Sequence, residues 1–201
     1  MKTELKKAKT KAQLMDSAYW LFTHEGFHKT TIAEISKRAG LGKGTFYLYF
    51  KDKEDIRDAL IVQKSAMLLH DAIENSDLSD SGMSFYDRLT VIIDYMLARM
   101  SEDKEQLKFI YKSLSWGLLL KEDYENDSPD MMNIEDFVKG LIRKSNYRIK
   151  NQTLFIYTLM ELVSSTCYSV IIDEEPTTID EYKPFLYRMI RIMVDDQVTE
   201  E

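Results

Sequence analysis

Two histidines near the N-terminus match the H-E-x-x-H pattern of zinc proteases. His24 and His28 flank Glu25 at the spacing that places both histidines on one face of a helix, where they bind Zn²⁺ beside a general base. The pattern works only on an uninterrupted helix. Gly26 lies inside it, where the apolar stripe of the preceding segment ends, and His70 is the one other histidine in the chain. We therefore interpret the match as coincidence and predict no metal site.

The sequence contains no other catalytic pattern. It has no nucleophile elbow, no phosphate-binding glycine loop and no dinucleotide fingerprint, and its one cysteine, Cys167, lies in an apolar segment. The acidic run from Glu122 to Asp130 lacks the spacing and the glycine of a calcium loop, and is typical of a solvated turn. We predict that the chain is not an enzyme and has no catalytic residue and no cofactor.

The segment from Lys43 to Lys53 has the chemistry of phosphate binding. Hydroxyl and ammonium donors alternate with apolar side chains there, and the donors are Lys43, Thr45, Tyr47, Tyr49, Lys51 and Lys53. The net charge of the whole chain is −7, but residues 1–53 carry 11 basic and 5 acidic side chains. The other 148 residues carry 16 basic and 29 acidic side chains. A basic head on an acidic body directs one end of the molecule toward a polyanion.

Helical periodicity positions this basic segment. The apolar residues from Ala12 to His24 form the stripe of an amphipathic helix. Thr31 and Glu34 have the spacing of a capping box and begin a short helix that ends at Gly40. A third helix is predicted from Lys43 to Phe50. Two short helices joined by a glycine turn form a helix-turn-helix, whose second helix can enter the major groove of DNA.

The rest of the chain is also predicted to be helical. With 7 Gly and 3 Pro in 201 residues and no hairpin signal, we predict an all-α fold of about nine helices. Asp52 can cap a fourth helix, and the further helices are predicted at 85–99, 104–120, 133–144, 151–172 and 179–194. Residues 151–172 include Asn, Gln, Ser and Thr, and we interpret them as a buried soluble helix and not as a membrane span. The lysine-rich residues 2–11 are predicted to be disordered.

The stretch AQLMDSAYWLFTHEGFHKTTIAEISKRAGLGKGTFYLYFKDKEDI, from Ala12 to Ile56, resembles the DNA-binding region of the TetR family of bacterial regulators. The matching elements are Leu21-Phe22, Gly26, Thr30-Thr31, Ala39-Gly40, Gly44-Thr45, Tyr47, Tyr49-Phe50 and Lys53-Glu54. A second stretch, IIDEEPTTIDEYKPFLYRMI, is similar to the link and start of the family's last helix. Gly42 is a departure, since the family often has Ser there, and it removes a possible helix cap or phosphate hydroxyl.

The resemblance implies a DNA-binding head at 1–53 and a ligand-binding and dimerisation body at 54–201. It implies phosphate contacts from Thr31, Tyr47, Tyr49 and Lys53, and contacts to the bases or the groove from Lys43, Gly44 and Thr45. For Gly44 the alternative is a tight contact with the first helix. For the tyrosines, and for Tyr49 above all, the alternative is a ring that belongs partly to the core.

For the body, the resemblance implies a homodimer through the last two helices and a pocket for a small apolar or aromatic inducer. The candidate lining residues are Tyr95, Met96, Arg99, Phe109, Tyr111, Trp116, Tyr157, Glu161 and Tyr168. For each of them, ordinary core packing is the alternative. Glu161 would meet a ligand or a lysine across the dimer.

Together these features predict a cytoplasmic regulator, a repressor that binds a palindromic double-stranded operator as a dimer and is released by an inducer. Because one short recognition helix contacts few base pairs, two half-sites are needed. A family member that has no inducer and acts through protein partners is the second possibility. An enzyme on a helical scaffold is a distant third.

Overall fold

The computed structural model describes residues 2–78, 82–111 and 147–200. These residues form eight α-helices, two π-helical segments and one small sheet. The helices are α1 (Lys2–Leu21), α2 (Ile32–Arg38), α3 (Lys43–Phe46), α4 (Lys53–Asn75), α5 (Phe85–Glu102), α6 (Lys104–Tyr111), α7 (Gln152–Tyr168) and α8 (Ile179–Gln197). The all-α prediction is confirmed. The helix predicted at 133–144 and the second half of that at 104–120 lie outside the described residues.

Helix α1 begins ten residues earlier than predicted. It starts at Lys2, so the prediction of a disordered tail was wrong. Residues 2–11 consist mainly of Lys, Ala, Leu and Glu, which are strong helix formers, and Glu4 lies in the first turn, where the helix dipole favours an acid. The helix ends in a π-helical segment, Phe22–Gly26.

The chain divides into two compact units, of which the first has residues 2–65 among its described part. Helices α1, α2 and α3 pack together in it. Its core contains Leu14, Ile35, Phe46 and Ile56, all with 0% exposure. This unit therefore closes its own core around the predicted helix-turn-helix.

The second unit contains residues 66–111 and the chain from Asp130 onward. Within its described part α8 packs against α5 and α7, and the core contains Ile92, Leu186 and Ile190. Asp94 on α5 accepts hydrogen bonds from Lys183 Nζ and Tyr187 Oη on α8, both at 2.5 Å. Burial raises the pKa of Asp94, but these two bonds outweigh it and hold the pKa below its ordinary value.

A two-stranded antiparallel sheet, β1 (Tyr147–Ile149) and β2 (Val198–Glu200), lies in the same unit. Tyr147 pairs with Glu200 and Ile149 with Val198. The all-α prediction did not include these strands. Three-residue strands are too short to show a two-residue period, and their partners are about fifty positions apart, so no local hairpin signal exists.

Residues Gln152–Asp173, which comprise α7 and the π-helical segment Ser169–Asp173, are long and apolar enough to cross a membrane by length and composition. An 18-residue stretch within this segment has a mean hydropathy of 1.5, and 39% of that stretch is buried within the chain. Helix α7 packs against α6 and α8 and buries Phe155 and Leu159. Its opposite side leaves Leu154 and Tyr157 exposed. A single helix of this kind also occurs in the cores of soluble helical proteins.

Helix α2 begins with the capping box that the sequence predicts. The Thr31 hydroxyl oxygen accepts a bond from Glu34 N at 3.3 Å, and Glu34 Oε2 accepts a bond from Thr31 N at 2.8 Å. The hydroxyl of Thr31 also donates to Glu34 Oε2 at 2.7 Å. These side-chain and backbone hydrogen bonds lower the pKa of Glu34. The cap fixes the residue at which α2 begins.

Replacing Thr31 by Ala should lower the free energy of unfolding at neutral pH by about 1 kcal/mol, because the N-cap acceptor is lost. Thr10→Ala, at a half-buried threonine within α1, is the matched control and should change it by less than about 0.5 kcal/mol. Urea unfolding of the three proteins measures both.

The same variants test the carboxylate. Since the folded-state pKa of Glu34 lies below its unfolded value, its contribution is complete above the unfolded pKa and is lost as pH falls through the folded pKa. The difference between wild type and Thr31→Ala should therefore shrink on acidification below about pH 4. A difference that stays constant or grows would contradict the capping assignment.

Candidate nucleic-acid interface

The turn between α2 and α3 depends on a glycine. Gly40 has a φ of 70°, a left-handed conformation that other residues adopt at a cost. Its N–H donates to Lys37 O at 3.1 Å, and Leu41 N donates to Ser36 O at 2.9 Å. These bonds satisfy the last carbonyl groups of α2. The chain therefore reverses within a few residues, as a helix-turn-helix requires.

Helix α3 is shorter than predicted. It spans Lys43–Phe46, and a hydrogen-bonded turn takes the chain from there to Phe50, whose N–H donates to Phe46 O at 3.0 Å. A glycine and several β-branched or aromatic residues in one short segment give it low helix propensity. Gly42 is the N-cap and provides no side-chain bond, which is the consequence expected of this departure from the family pattern.

The inner side of α3 is anchored by two aromatic rings. Phe46 is 0% and Phe50 4% exposed, and their ring centroids are 5.8 Å apart. Lys43 and Gly44 lie on the exposed side, and Tyr47 is 52% exposed. Thr45 and Tyr49 are half-buried. The structure thus gathers the predicted α3 contacts around one short segment, with an aromatic core beneath them.

Gly44 has no packing partner that explains it. A Cβ atom built on Gly44 would meet no atom within 4 Å, so the alternative of a tight contact with α1 was wrong. A glycine inside a helix costs about 1 kcal/mol relative to alanine. The space that a side chain at Gly44 would occupy is therefore open.

Leu48 is a surface residue that the sequence analysis missed. It is 80% exposed and follows Tyr47 in the same turn. In the sequence Leu48 is one of the apolar residues between the donors. Leu48 follows the exposed Tyr47 and precedes the buried Phe50 by two positions. A turn that buries Phe50 exposes Leu48, and this position was the signal in the sequence that could have predicted its exposure.

The Lys53 side chain forms two hydrogen bonds within the protein. Its Nζ donates to Phe27 O at 2.8 Å and to Thr30 O at 3.0 Å. It also lies 4.4 Å from the centroid of the Phe27 ring. Asp52 caps α4, as predicted, by accepting a bond from Asp55 N at 2.8 Å. The phosphate contact implied for Lys53 competes with two carbonyl groups for the same ammonium.

Arg38, which ends α2, is stacked on an aromatic ring. Its guanidinium carbon lies 3.6 Å from the centroid of Trp20, and the His24 ring stacks on Trp20 with centroids 4.4 Å apart. The stack joins α1 to the end of α2 and orients a cation on the basic head. The spacing of residues within α2 does not predict this contact, because its partner Trp20 lies on α1.

The geometry of the zinc pattern is not formed. Gly26 has a φ of 91°, and the helix ends there before the second histidine. His24 Nδ1 lies 2.9 Å from Trp20 O. Within the described ranges, no group of three His, Cys, Asp or Glu could hold a metal ion.

Burial raises the pKa of the Cys167 thiol to about 11, so it stays protonated at neutral pH.

The structure brings together two of the predicted inducer-lining residues. The rings of Tyr111 and Tyr168 stack with centroids 3.9 Å apart, and Tyr111 Oη lies 3.5 Å from Ser165 Oγ. Among the other candidates, Tyr95, Met96 and Phe109 are half-buried. Arg99, Tyr157 and Glu161 are exposed. Arg99 pairs with Glu102 on its own helix at 2.7 Å. Trp116 lies outside the described residues.

Comparison with known proteins matches the head at the level of sequence. Residues 14–60 match the sequence model of the family described as bacterial regulatory proteins, tetR family. A fatty acid metabolism regulator protein of Bacillus subtilis is 39% identical over 57 residues, which are 28% of this chain and 29% of that protein. The HTH-type transcriptional regulator YvdT of B. subtilis is 22% identical over 185 residues, 89% of this chain and 92% of that one.

Solved structures match over nearly the whole chain. A TetR-family transcriptional regulator from Streptomyces coelicolor has a TM-score of 0.65 at 13% identity, covering 94% of this chain and 99% of that one. The regulator FadR from Bacillus subtilis, in complex with stearoyl-CoA, has a TM-score of 0.60 at 16% identity, covering 89% and 96%. At these identities the likeness shows the fold alone. The sequence match over residues 14–60 and the helix-turn-helix show that the head is similar to the DNA-binding region of TetR-family regulators, and the solved structures show that the fold of the whole chain is similar to theirs.

Proposed function

We propose that the chain is a cytoplasmic repressor that binds a palindromic double-stranded operator as a homodimer and is released by a small molecule. The observation that carries the DNA-binding part is the short helix α3, whose inner side is buried at Phe46 while Lys43, Gly44 and Tyr47 lie exposed. We propose residues 1–53 as the DNA-binding domain and residues 54–201 as the sensing and dimerisation domain.

In this proposal α3 lies in the major groove. Lys43 and Thr45 contact base edges, and Gly44 allows the backbone to approach the groove. Tyr47 and Tyr49 donate to phosphates from one side of the helix, and Thr31 lies at the phosphate backbone on the other. Leu48 contacts a thymine methyl group or the sugar edge, as apolar side chains in the groove do. Phosphate contacts position the domain, whereas base contacts select the sequence.

The two kinds of contact can be separated by mutation. Tyr47→Phe should weaken binding to the selected operator and to a random duplex by similar factors, so that the preference between them survives. Lys43→Ala should reduce discrimination at one or two positions of each half-site by about 1 to 3 kcal/mol. Binding titrations on single-base variants of the operator measure both effects. If Lys43→Ala weakened all sequences alike and Tyr47→Phe changed the preference, the orientation proposed for α3 would be wrong.

The proposed dimer interface consists of the outer sides of α7 and α8. Leu154 and Tyr157 on α7 are 59% and 41% exposed, and Phe185 and Ile192 on α8 are 46% and 60% exposed. The two helices pack against each other within the chain. Their exposed apolar side chains are what a twofold partner would cover, and a dimer supplies the second recognition helix for the second half-site.

Ile192→Lys should separate the dimer while each chain keeps its fold. Its matched control is Ala98→Lys, which adds a lysine at an exposed position of α5. Ile190→Lys should instead unfold the second unit, because Ile190 is 0% exposed within the chain itself. Sedimentation of the wild type should give twice the chain mass of 23.6 kDa. A wild-type mass of one chain, or an Ile192→Lys protein that remains a dimer, would contradict the proposed interface.

We propose that the effector is a small apolar or aromatic molecule bound in the second unit. The stacked Tyr111 and Tyr168 provide an aromatic surface there. The fold likeness to a regulator solved with stearoyl-CoA makes that compound a suitable first probe. To move the population from 1:99 to 99:1, an effector must prefer the state that cannot bind DNA by about 5.5 kcal/mol.

Stearoyl-CoA should release the protein from its selected operator in a titration followed by fluorescence anisotropy. Tyr168→Ala should reduce this response more than it reduces operator affinity. Equal losses in a well-folded Tyr168→Ala protein would place the tyrosine pair in the structural core instead. Failure of stearoyl-CoA and of shorter acyl-CoA esters to release DNA would exclude acyl-CoA esters as the effector. Failure of a panel of small apolar and aromatic molecules as well would favour the second candidate, a regulator that acts through protein partners.

A further inference from the structure

Two cations on α4 enclose one phenylalanine ring of the head. Lys53 Nζ lies 4.4 Å and the Arg57 guanidinium carbon 4.8 Å from the centroid of the Phe27 ring. Their four-residue spacing places both side chains on one face of α4. The Phe27 ring also makes an edge contact with Phe22 at 5.1 Å between centroids. We call this group, Lys53, Arg57 and Phe27, the Phe27 clamp.

Lys53 adds hydrogen bonds to the same loop. Its ammonium donates to Phe27 O and to Thr30 O, at the two ends of the loop between α1 and α2. Thr30 is 3% exposed, and its hydroxyl donates to Gly26 O at 3.0 Å. Without Lys53 the carbonyl of Thr30 would lose its cationic donor in a buried setting, which is costly. The next residue, Thr31, is the N-cap of α2.

We infer that Lys53 is a positioning residue: it fixes the loop of residues 27–30, and so the N-terminus of α2, against the start of α4, and does not act by binding phosphate through its ammonium. The inference rests on the proposed DNA-binding function. It differs from the phosphate contact that the family resemblance implies for the Lys53 side chain. Two of the three N–H donors of the Lys53 ammonium bond to the carbonyl oxygens of Phe27 and Thr30. The Phe27 clamp needs no bond from the third donor.

The two roles predict different salt dependences. A lysine that binds phosphate releases a counterion, so its loss from both subunits reduces the magnitude of the logarithmic salt slope by about 1.8. A lysine that only positions the loop leaves the slope unchanged and lowers affinity at every salt concentration.

The first experiment needs no DNA. Hydrogen exchange of the full-length protein compares wild type with Lys53→Met and Lys53→Gln. In Lys53→Met the amides of Thr30 and Ile35 should exchange on the order of tenfold faster. The loss of one charge-assisted hydrogen bond lowers the free energy of local opening enough to raise the opening equilibrium constant by at least that factor. Amides in α8 should be unchanged. Lys53→Gln keeps one donor without the charge and should give an intermediate rate. Unchanged exchange at Thr30 and Ile35 in both variants would overturn the inference.

The second experiment measures binding across a salt series, to a palindromic duplex that the wild-type protein selects from a randomised library. Lys53→Met should bind on the order of tenfold more weakly with a wild-type slope. Lys53→Arg should recover most of the affinity. If Lys53→Met is too unstable to bind, Lys53→Gln gives the slope. A slope reduced by about 1.8 in the Lys53 variants would overturn the inference.

The two experiments distinguish an error in the proposed function from an error in the role inferred for Lys53. If the wild type selected no duplex from the library, the proposed function would be wrong, and the exchange rates would still decide whether Lys53 holds the loop. If the wild type selects a duplex but the Lys53 variants lose slope, the proposed function stands and the positioning role does not.

Discussion

The burial of Phe46 is the contact on which the proposed DNA recognition depends. Helix α3 has four residues, far too few to be stable as an isolated helix in water. It exists because Phe46, which is 0% exposed, and Phe50 fix its inner side in a core shared with α1 and α2. Everything exposed on α3, from Lys43 to Tyr47, takes its position from that anchor. A side chain that contacts a base must be held to within a fraction of an ångström, and burial of its neighbour achieves this.

Charge divides the chain as clearly as packing does. The positive charge of residues 1–53 and the negative charge of the remainder favour an approach to DNA in one orientation. The head also uses some of its cations internally. Arg38 stacks on Trp20, and Lys53 bonds to two carbonyl groups, so a count of basic residues overstates the number available to phosphate. The distinction matters because only cations that displace counterions contribute to the salt dependence of binding.

Local signals in the sequence predicted local structure well. The capping box at Thr31, the cap at Asp52 and the glycine turn at Gly40 each depend on residues within five positions, and each is present in the structure. The start of α1 was missed because lysine repeats suggested disorder, although lysine, alanine and leucine favour helix. The sheet was missed because its two strands are distant in sequence. The first failure concerns two competing tendencies of the same residues, and the second concerns a contact between distant residues, which local periodicity does not report.

The candidate site shows the same limit. The residue types in the α3 segment indicate DNA binding, but exposure decides which of them face outward. Leu48 is exposed and Phe50 is buried, a difference that alternation alone does not reveal. Likewise, Leu186 and Ile190 belong to the core of the chain, whereas Phe185 and Ile192 lie on the uncovered side of α8. The bonds of the Lys53 ammonium join residues 26 and 23 positions apart, beyond any local pattern.

A hydroxyl-radical footprint of the wild-type protein on the duplex that it selects, read together with methylation of guanine N7, would show whether paired α3 helices occupy the major groove. We expect two protected patches on one face of the duplex, related by a twofold axis, with half-site centres about 34 to 36 Å apart. Methylation of guanine N7 in those two major grooves should block binding. Protection of a single groove, or uniform protection without a preferred sequence, would contradict the proposed mode of recognition.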